Sequence, residues 1–289
     1  MRKELVFLLE EPSIPNAFKT RSERGTRICF MTYHSSRKRF GQHFLRDSHI
    51  IQRIVAAIAP QPEQHLVEIG PGKGALTLPL LQYGCPLDVI ELDRDLIELL
   101  TEKTLLFKQL RIHQGDALKF DFKQLMTNEQ PLRIVGNLPY NISTPLLFHL
   151  LKYANDIVDM TFMLQKEVVE RMIAVPATSD YGRLSVMLQY ACQIEKLLDV
   201  SAGAFSPPPK VNSSVVQLKP YAIPPVAVIN QKQFAKIVGL AFSQRRKTLR
   251  NTLKCVLDAK AIEAAGVDPQ ARAETLRLED FAQLANIVV

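Results

Sequence analysis

Short aliphatic or β-branched runs recur through the middle of the chain, at Leu66 to Gly70, Leu87 to Glu91, Leu110 to Gln114, Leu132 to Asn137 and Met160 to Leu164. Each has the length and composition of a buried strand. Around them apolar positions return at the three- and four-residue spacing of amphipathic helices, over Ser48 to Ala59, Ala75 to Tyr83, Arg94 to Lys103, Pro145 to Tyr153 and Lys166 to Ala174. Thr144 is placed to cap the fourth of these, with Pro145 in the first helical position, where its missing N–H costs no hydrogen bond. Strand and helix in alternation predict an α/β fold, a parallel sheet with helices on both faces. Two later runs, Lys196 to Ser201 and Ser214 to Lys219, are separated only by Ala202 to Ser213, which contains Pro207-Pro208-Pro209. So short a connection cannot hold a crossover helix, and these two runs should pair antiparallel.

The pattern changes at Pro220 to Pro225, where three prolines interrupt any period. Beyond it the chain reads as helical. Phe234, Ile237, Val238, Ala241 and Phe242 make one apolar stripe, and Leu249, Leu253, Val256 and Leu257 make another. A single helix through both would bury Arg245, so a break is expected near Ser243, whose hydroxyl is placed to cap the second helix. Residues 1 to 30 show no period. The expected division is a leader over 1–34, disordered or upstream of a true start at Met31, then an α/β domain over 35–220 and a small helical domain over 221–289.

Composition excludes several classes. With 47% hydrophobic and 22% charged residues in 289, the chain is neither disordered nor fibrous as a whole. Cys29, Cys85, Cys192 and Cys255 form no CxxC pair, so neither a thiolate metal knuckle nor a disulfide framework is indicated, and no metal is expected. No apolar run reaches the roughly 20 residues that span a bilayer. Leu5 to Leu9 is cut short by Glu10-Glu11 before a signal segment is complete. A cytoplasmic protein with no membrane partner is expected. The net charge of +7 gains meaning from its location: Tyr221 to Leu257 contains no Asp or Glu but carries Lys232, Lys236, Arg245, Arg246, Lys247, Arg250 and Lys254. Arg37-Lys38-Arg39 with Arg46 is a second cluster. Solvated helix faces usually mix both signs, so this run favours a phosphate backbone, with Arg245, Arg246, Lys247 and Arg250 as the candidate nucleic-acid contacts.

The most specific local signal is Val67-Glu68-Ile69-Gly70-Pro71-Gly72-Lys73-Gly74, a glycine-rich turn between a strand and a helix. A Walker A loop needs Ser or Thr after the lysine, and Gly74 stands there instead. A dinucleotide fingerprint needs its third glycine three positions after the second, and here the spacing is two. The remaining liganded reading is the GxGxG loop preceded by an acidic residue, as in S-adenosylmethionine sites, beside the plain reading of an unliganded turn. Glu91 ends the next strand, where a carboxylate accepts from ribose hydroxyls; Asp93 competes for that place or caps the following helix. Asp116 in Gly115-Asp116-Ala117 is placed either to accept from an exocyclic adenine amine or to cap a turn. Asn137-Leu138-Pro139-Tyr140 ends the fourth strand. An aromatic amine is a poor nucleophile, because its lone pair is delocalised into the ring. The Asn137 side-chain oxygen and the Leu138 carbonyl can accept its hydrogens and hold the lone pair in line, while Tyr140 offers a stacking ring. A turn with a core tyrosine is the alternative.

Together these residues resemble the small-subunit ribosomal RNA adenine N6,N6-dimethyltransferases, the KsgA family. The resemblance is carried by RKRFGQHFL (Arg37 to Leu45), VEIGPGKGALT (Val67 to Thr77), VIELDRDL (Val89 to Leu96), GDAL (Gly115 to Leu118), GNLPYNISTPLLFHL (Gly136 to Leu150), MLQKEVVERM (Met163 to Met172), YGRLSV (Tyr181 to Val186), AFSPPPKVNSSVV (Ala204 to Val216) and FSQRRKTLRN (Phe242 to Asn251). It implies a Rossmann-like, seven-stranded class I methyltransferase sheet, with 35–220 as the S-adenosylmethionine-dependent domain and 221–289 binding RNA. It also implies dimethylation at N6 of two adjacent adenosines near the 3′ end of small-subunit (16S) rRNA, in an immature small ribosomal subunit, by a monomer. Carried over by position, the cofactor contacts are His43, Leu45, Gly70, Glu91, Asp116 and Asn137. The target pocket is Asn137, Leu138 and Tyr140, with Phe205 as a second aromatic wall; Phe205 reads equally well as a core residue. Three other readings stay open: a large-subunit rRNA adenine methyltransferase of the antibiotic-resistance type, a non-catalytic assembly or transcription factor that binds RNA on the same fold, and a DNA adenine methyltransferase, which usually has Asp-Pro-Pro-Tyr in place of NLPY and a larger recognition domain.

Overall fold

The computed structural model describes residues 43–126 and 130–288. The expected leader and the Arg37-Lys38-Arg39 cluster lie outside the described residues. The first half of the chain gives β1 (Phe44–Leu45), α1 (Ser48–Ile58), β2 (His65–Ile69), α2 (Thr77–Leu81), β3 (Leu87–Glu91), α3 (Arg94–Thr104), β4 (Leu110–Gln114), β5 (Leu132–Asn137) and α4 (Ser143–Leu150). The second half gives β6 (Ile157–Gln165), α5 (Lys166–Ile173), α6 (Arg183–Ala191), β7 (Cys192–Val200), β8 (Phe205–Ser206) and β9 (Ser213–Pro220). Four helices follow, α7 (Gln231–Ala241), α8 (Leu249–Thr252), α9 (Ala259–Ala264) and α10 (Leu278–Ile287).

Seven strands form one sheet in the order β4-β3-β2-β5-β6-β9-β7. All neighbours are parallel except β9, which runs antiparallel to both β6 and β7. The expected antiparallel pairing of the last two long runs is therefore present. The chain leaves β2 toward β3 and later returns to its other side with β5. That reversal opens a crevice at the carboxyl ends of β2, β3 and β5, where ligands of such sheets bind.

The two faces of the sheet are covered by different helices. Leu66, Leu87, Val89 and Val135 pack on one side with Ile54, Val55 and Ile58 of α1, Leu80 and Leu81 of α2 and Leu100 of α3. On the other side Val67, Ile69, Ile134 and Phe162 meet Leu146 and Leu147 of α4, Val169 of α5 and Val186 of α6. The interior continues without a gap into the C-terminal helices, with the rings of Tyr190 and Phe234 only 4.6 Å apart. The prolines at 220–225 thus mark a change of architecture within one continuous apolar interior.

Several boundaries differ from expectation, each for a local reason. α2 starts at Thr77 because residues 71–76 are spent on the glycine turn. α4 starts at Ser143 with no side-chain cap, so Thr144 is not its cap and Pro145 is its third residue. Proline is still tolerated there, because the first four N–H groups of a helix have no partner within it. Ser243 does not cap the helix after the break: its hydroxyl bonds back to Leu240 O (2.6 Å), and α8 begins after Thr248. α6 was not anticipated. It is buried on nearly every side, at Leu184, Ser185, Val186, Met187, Leu188, Tyr190 and Ala191, and so has no polar face to reveal a period.

Candidate active site

All three glycines of the Gly70-Pro71-Gly72-Lys73-Gly74 turn have positive φ, at +68°, +56° and +85°, the left-handed region that side chains avoid. Gly70 N–H continues the sheet by donating to Ile90 O (2.9 Å), and Gly74 N–H closes the turn on Pro71 O (2.9 Å). β1 lies over this turn. A Cβ on Gly72 would stand 3.3 Å from the Phe44 ring, and the Lys73 ammonium sits 4.6 Å from the centroid of that ring. Below the turn, Gly136 of β5 passes so close to β2 that a Cβ would meet Ile69 O at 2.6 Å. Only glycine allows the two strand ends to converge there.

These elements enclose a cavity of about 250 Å³. His43, Leu45, Gly70, Glu91, Asp116, Asn137, Leu138 and Tyr140 all line it, so eight of the residues singled out in the sequence meet at one place. Glu91 is 8% exposed. Its Oε1 accepts from the N–H groups of Leu92 (2.8 Å) and Asp93 (3.0 Å), and its Oε2 from Gly72 N–H (3.2 Å). Burial pushes this carboxyl above the ordinary glutamate range, and the N–H bonds only partly offset it. Asp93 instead caps α3, accepting from Asp95 N–H (3.1 Å). Asp116 Oδ1 takes Leu118 N–H (3.0 Å), so its turn-capping role holds one oxygen and leaves the other for a ligand.

Asn137 donates from Nδ2 to His43 O (3.2 Å), which orients Oδ1 as the acceptor of the amide. Leu138 is buried and donates its N–H to Met163 O (3.2 Å), fixing the backbone at the strand end. Tyr140 stacks on the His43 ring, with centroids 5.9 Å apart and planes inclined by 29°, and its hydroxyl lies 2.9 Å from Ser213 Oγ. Burial raises the Tyr140 phenol above its usual range, so the ring stays neutral. Phe205, expected as a second aromatic wall, is 1% exposed, packs with Val200 and Val215 and is not among the residues lining this cavity, whose aromatic surface among the described residues is Tyr140 with His43 and Phe44.

The cavity's charge decides what ligand it suits. Among the described residues, Glu68, Glu91, Asp93 and Asp116 line it with one ammonium, that of Lys73. Glu68, not singled out as a site residue, is 2% exposed and accepts the Thr77 hydroxyl at 2.6 Å. Burial, offset in part by that bond and reinforced by Glu91, raises its carboxyl to about 7. A pyrophosphate would be repelled by these acids. A cationic ligand is favoured, and S-adenosylmethionine, with its sulfonium and ammonium, fits this donor set: the turn around Gly70, with Glu91 and Asp116, would hold it.

The profile of the ribosomal RNA adenine dimethylases matches residues 33–289. The chain belongs to that family. It is 57% identical over 260 residues to the ribosomal RNA small subunit methyltransferase A of Hydrogenovibrio crunogenus, covering 89% of this chain and 98% of that protein. Among solved structures, a dimethyladenosine transferase from Plasmodium falciparum superposes with a TM-score of 0.72 at 26% identity, over 84% of this chain and 96% of that one. The 23S rRNA methyltransferase ErmE gives 0.65 at 27% identity, over 85% and 99%. The Rossmann-like methyltransferase sheet implied by the resemblance is thus the fold of this family member.

The candidate RNA contacts lie away from the cavity, on the turn after α7 and on α8. Arg245, Arg246, Lys247 and Arg250 are all exposed. Arg245 is not without a counter-charge, as the sequence run suggests: its Nε lies 3.3 Å from Glu274 Oε2 and it donates to Ser179 O (2.6 Å). Glu68 entered the sequence reading only as the acid before the glycine loop, and Phe44 and Gly136 were missed. Both stand inside motifs that were recognised, but their roles depend on an approach of distant backbone that no local pattern encodes.

Proposed function

We propose that this dimethylase transfers methyl groups to N6 of two adjacent adenosines near the 3′ end of small-subunit rRNA, acting on the immature small subunit. The observation that carries this reading is the meeting of the Asn137 acceptor and the Tyr140 ring with the acidic, glycine-lined cavity at one strand edge. When bound, S-adenosylmethionine supplies an electrophilic methyl group on a sulfonium. The chain's own residues prepare the nucleophile. Asn137 Oδ1 and the Leu138 carbonyl accept the hydrogens of the adenine amine, which keeps its lone pair directed at the methyl group and out of conjugation. Tyr140 stacks on the base once it is turned out of the helix. Methylation leaves an acidic ammonium that water can deprotonate, so the site needs no strong base.

The small-subunit reading is favoured over the large-subunit one by identity, 57% to a small-subunit methyltransferase against 27% to ErmE. An assembly factor without activity would have no need of Asn137 beside a complete donor site. We further propose that 221–289 holds the rRNA backbone through the exposed Arg246, Lys247 and Arg250, with Arg245 contributing less because Glu274 holds it. Mass spectrometry of rRNA digests from cells with and without the gene tests the reaction: loss of N6,N6-dimethyladenosine from small-subunit rRNA is expected, and loss from large-subunit rRNA instead would overturn it. Replacing Arg246, Lys247 and Arg250 by Ala should flatten the slope of log affinity against log salt by about 2 to 3, at about 0.7 to 0.9 per phosphate contact. Donor affinity should not change. An unaltered slope would remove these residues from the interface.

A further inference from the structure

Ser213 opens β9, where its neighbours are fixed on both sides: it stands opposite Gln165 of β6 and Val200 of β7. Its side chain is fully buried, yet its hydroxyl lies 2.9 Å from that of Tyr140, which lines the cavity. The same stretch of chain also touches the other ring of the stacked pair. His43 Nδ1 lies 2.8 Å from Pro207 O, and Asn137 donates to His43 O at 3.2 Å. Both rings and the amine acceptor are thus tied to segment 205–213 or to each other. None of these ties comes from α4, which anchors only the Tyr140 backbone, through Ser143 Oγ to Tyr140 O (3.1 Å).

We propose that Ser213 is a positioning residue for methyl transfer, fixing the plane of the Tyr140 ring through its hydroxyl. The proposal rests on the reading of Tyr140 as the base platform. A phenylalanine at this place would stack as well but could swing, because only its backbone would be held. With the phenol fastened to a strand that is paired on both edges, the ring keeps one orientation beside His43, and the base stacked on it is presented to Asn137 at one angle. Rigid support of this kind is what holds a reacting group within the narrow range that transfer demands. A purely structural role predicts something different. Removing the Ser213 hydroxyl leaves the phenol of a half-buried tyrosine free to bond water, so stability should barely move.

The test is single-turnover methyl transfer by the full chain on small subunits from cells lacking the gene, with subunit and S-adenosylmethionine both saturating. Ser213→Ala and Tyr140→Phe should each slow transfer about 3- to 10-fold, the worth of one neutral hydrogen bond. The double variant should be no slower than the slower single. Donor affinity and melting temperature should stay at their wild-type values. Effects that multiply in the double variant, a normal rate in Ser213→Ala, or a loss that follows the melting temperature would each overturn the proposal. Tyr140→Ala separates it from the reading beneath: if Tyr140→Ala is slow while Ser213→Ala is normal, only the positioning role falls. If Tyr140→Ala itself reacts normally, the base platform falls and the role of Ser213 with it.

Discussion

Near the amino ends of the parallel strands, Arg133 forks onto Asp159, with Nε to Oδ1 at 3.0 Å and a terminal nitrogen to Oδ2 at 2.8 Å. Its other donors reach Gln64 Oε1 (2.6 Å) and Ile58 O (2.7 Å), and Gln217 donates to Asp159 Oδ2 at 3.2 Å. Two strands away Asp88 takes bonds from His65, His113 and Arg111. Burial alone would raise the Asp88 carboxyl, but those three partners outweigh it and hold it at about 2. At the carboxyl ends the same residue types stand in a different condition. Asn137, which lines the cavity, uses its amide nitrogen on His43 and leaves its oxygen without a bond among the described residues, where Asp116 likewise bonds Leu118 through one oxygen only. Polar groups that satisfy one another completely lock a sheet; polar groups left with one spare acceptor bind something else. Saturation of bonds, more than residue type or burial, sets Arg133, Asp159 and Asp88 apart from Asn137 and Asp116; Glu91, which takes three N–H bonds at the carboxyl edge, departs from the rule.

The sharpest test of that contrast is to damage each end in turn. Asp159→Ala strips the main partner from a guanidinium whose side chain is only 8% exposed, and an unpaired buried charge costs about 3 to 5 kcal/mol. Chemical denaturation should show this loss, with donor affinity in the surviving native fraction unchanged. Asn137→Ala should do the reverse. Losing one oriented polar group costs about 10²- to 10³-fold in rate, while stability moves little. Because Asn137 is also a candidate donor contact, rates must be compared with S-adenosylmethionine saturating. The first transfer should suffer at least as much as the second, since the monomethylated amine has only one hydrogen left to place. A normal rate at saturation would place Asn137 with the structural residues.

Glu68 crosses the comparison, being buried like the amino-end groups yet facing the cavity. Its carboxyl keeps a proton to about pH 7 in the native state, whereas the unfolded chain releases it near 4.5. The native state therefore binds more protons in that window, and stability falls as pH rises through it. Glu68→Gln abolishes the dependence while its amide oxygen still accepts from Thr77. Relative to wild type, the variant should gain about 2 to 3 kcal/mol at pH 8 and little at pH 4.5. Donor binding at pH 8 should weaken in the same variant, because a negative charge facing a cationic ligand is gone. Denaturant midpoints at both pH values, with calorimetric titration of S-adenosylmethionine, read the two effects; an equal stability difference at both pH values would show that the group does not titrate as described.

The contrast between the two edges also explains how much could be read in advance. β2 to β5 lie within a residue of their expected bounds, because β2, β3 and β5 are mostly apolar runs closed by a turn and β4 alternates Leu110 and Ile112 with polar residues. The two-residue β1 and β8 carry no period, and β6 extends past the expected run because its amino end includes Asp159, whose polarity is met by Arg133 and Gln217 from the neighbouring strands. The carboxyl-edge groups were legible because they sit in short motifs with fixed spacing. Ser213 and Gly136 lay within such motifs too, but what they do depends on Tyr140 and Ile69 O arriving from elsewhere. Phe205 shows the opposite limit: an aromatic residue beside a polyproline turn can face a cavity or a core, and only packing settles which.

The smallest expected effect lies outside both edges, at Ala177 in the connection between α5 and α6. It is held at φ +67° without being glycine, a conformation that costs an L-residue roughly 1 to 2 kcal/mol. Its N–H donates to Glu274 O (2.7 Å), and Arg245 reaches Ser179 O in the same connection (2.6 Å), so neighbouring bonds hold the strain in place. By the rule drawn from the two edges, a segment whose polar groups are met from within serves structure, and relieving its strain should leave chemistry alone. Ala177→Gly removes the Cβ clash but enlarges the freedom of the unfolded chain, which returns about 0.4 to 1 kcal/mol to the unfolded state. The net expectation is a gain of about 0.5 to 1 kcal/mol, seen as a higher denaturant midpoint at constant slope. Methyl transfer and the salt dependence of RNA binding should match wild type. A slower transfer in Ala177→Gly would show that the strained turn serves the reaction, and that satisfied bonds alone do not mark a structural segment.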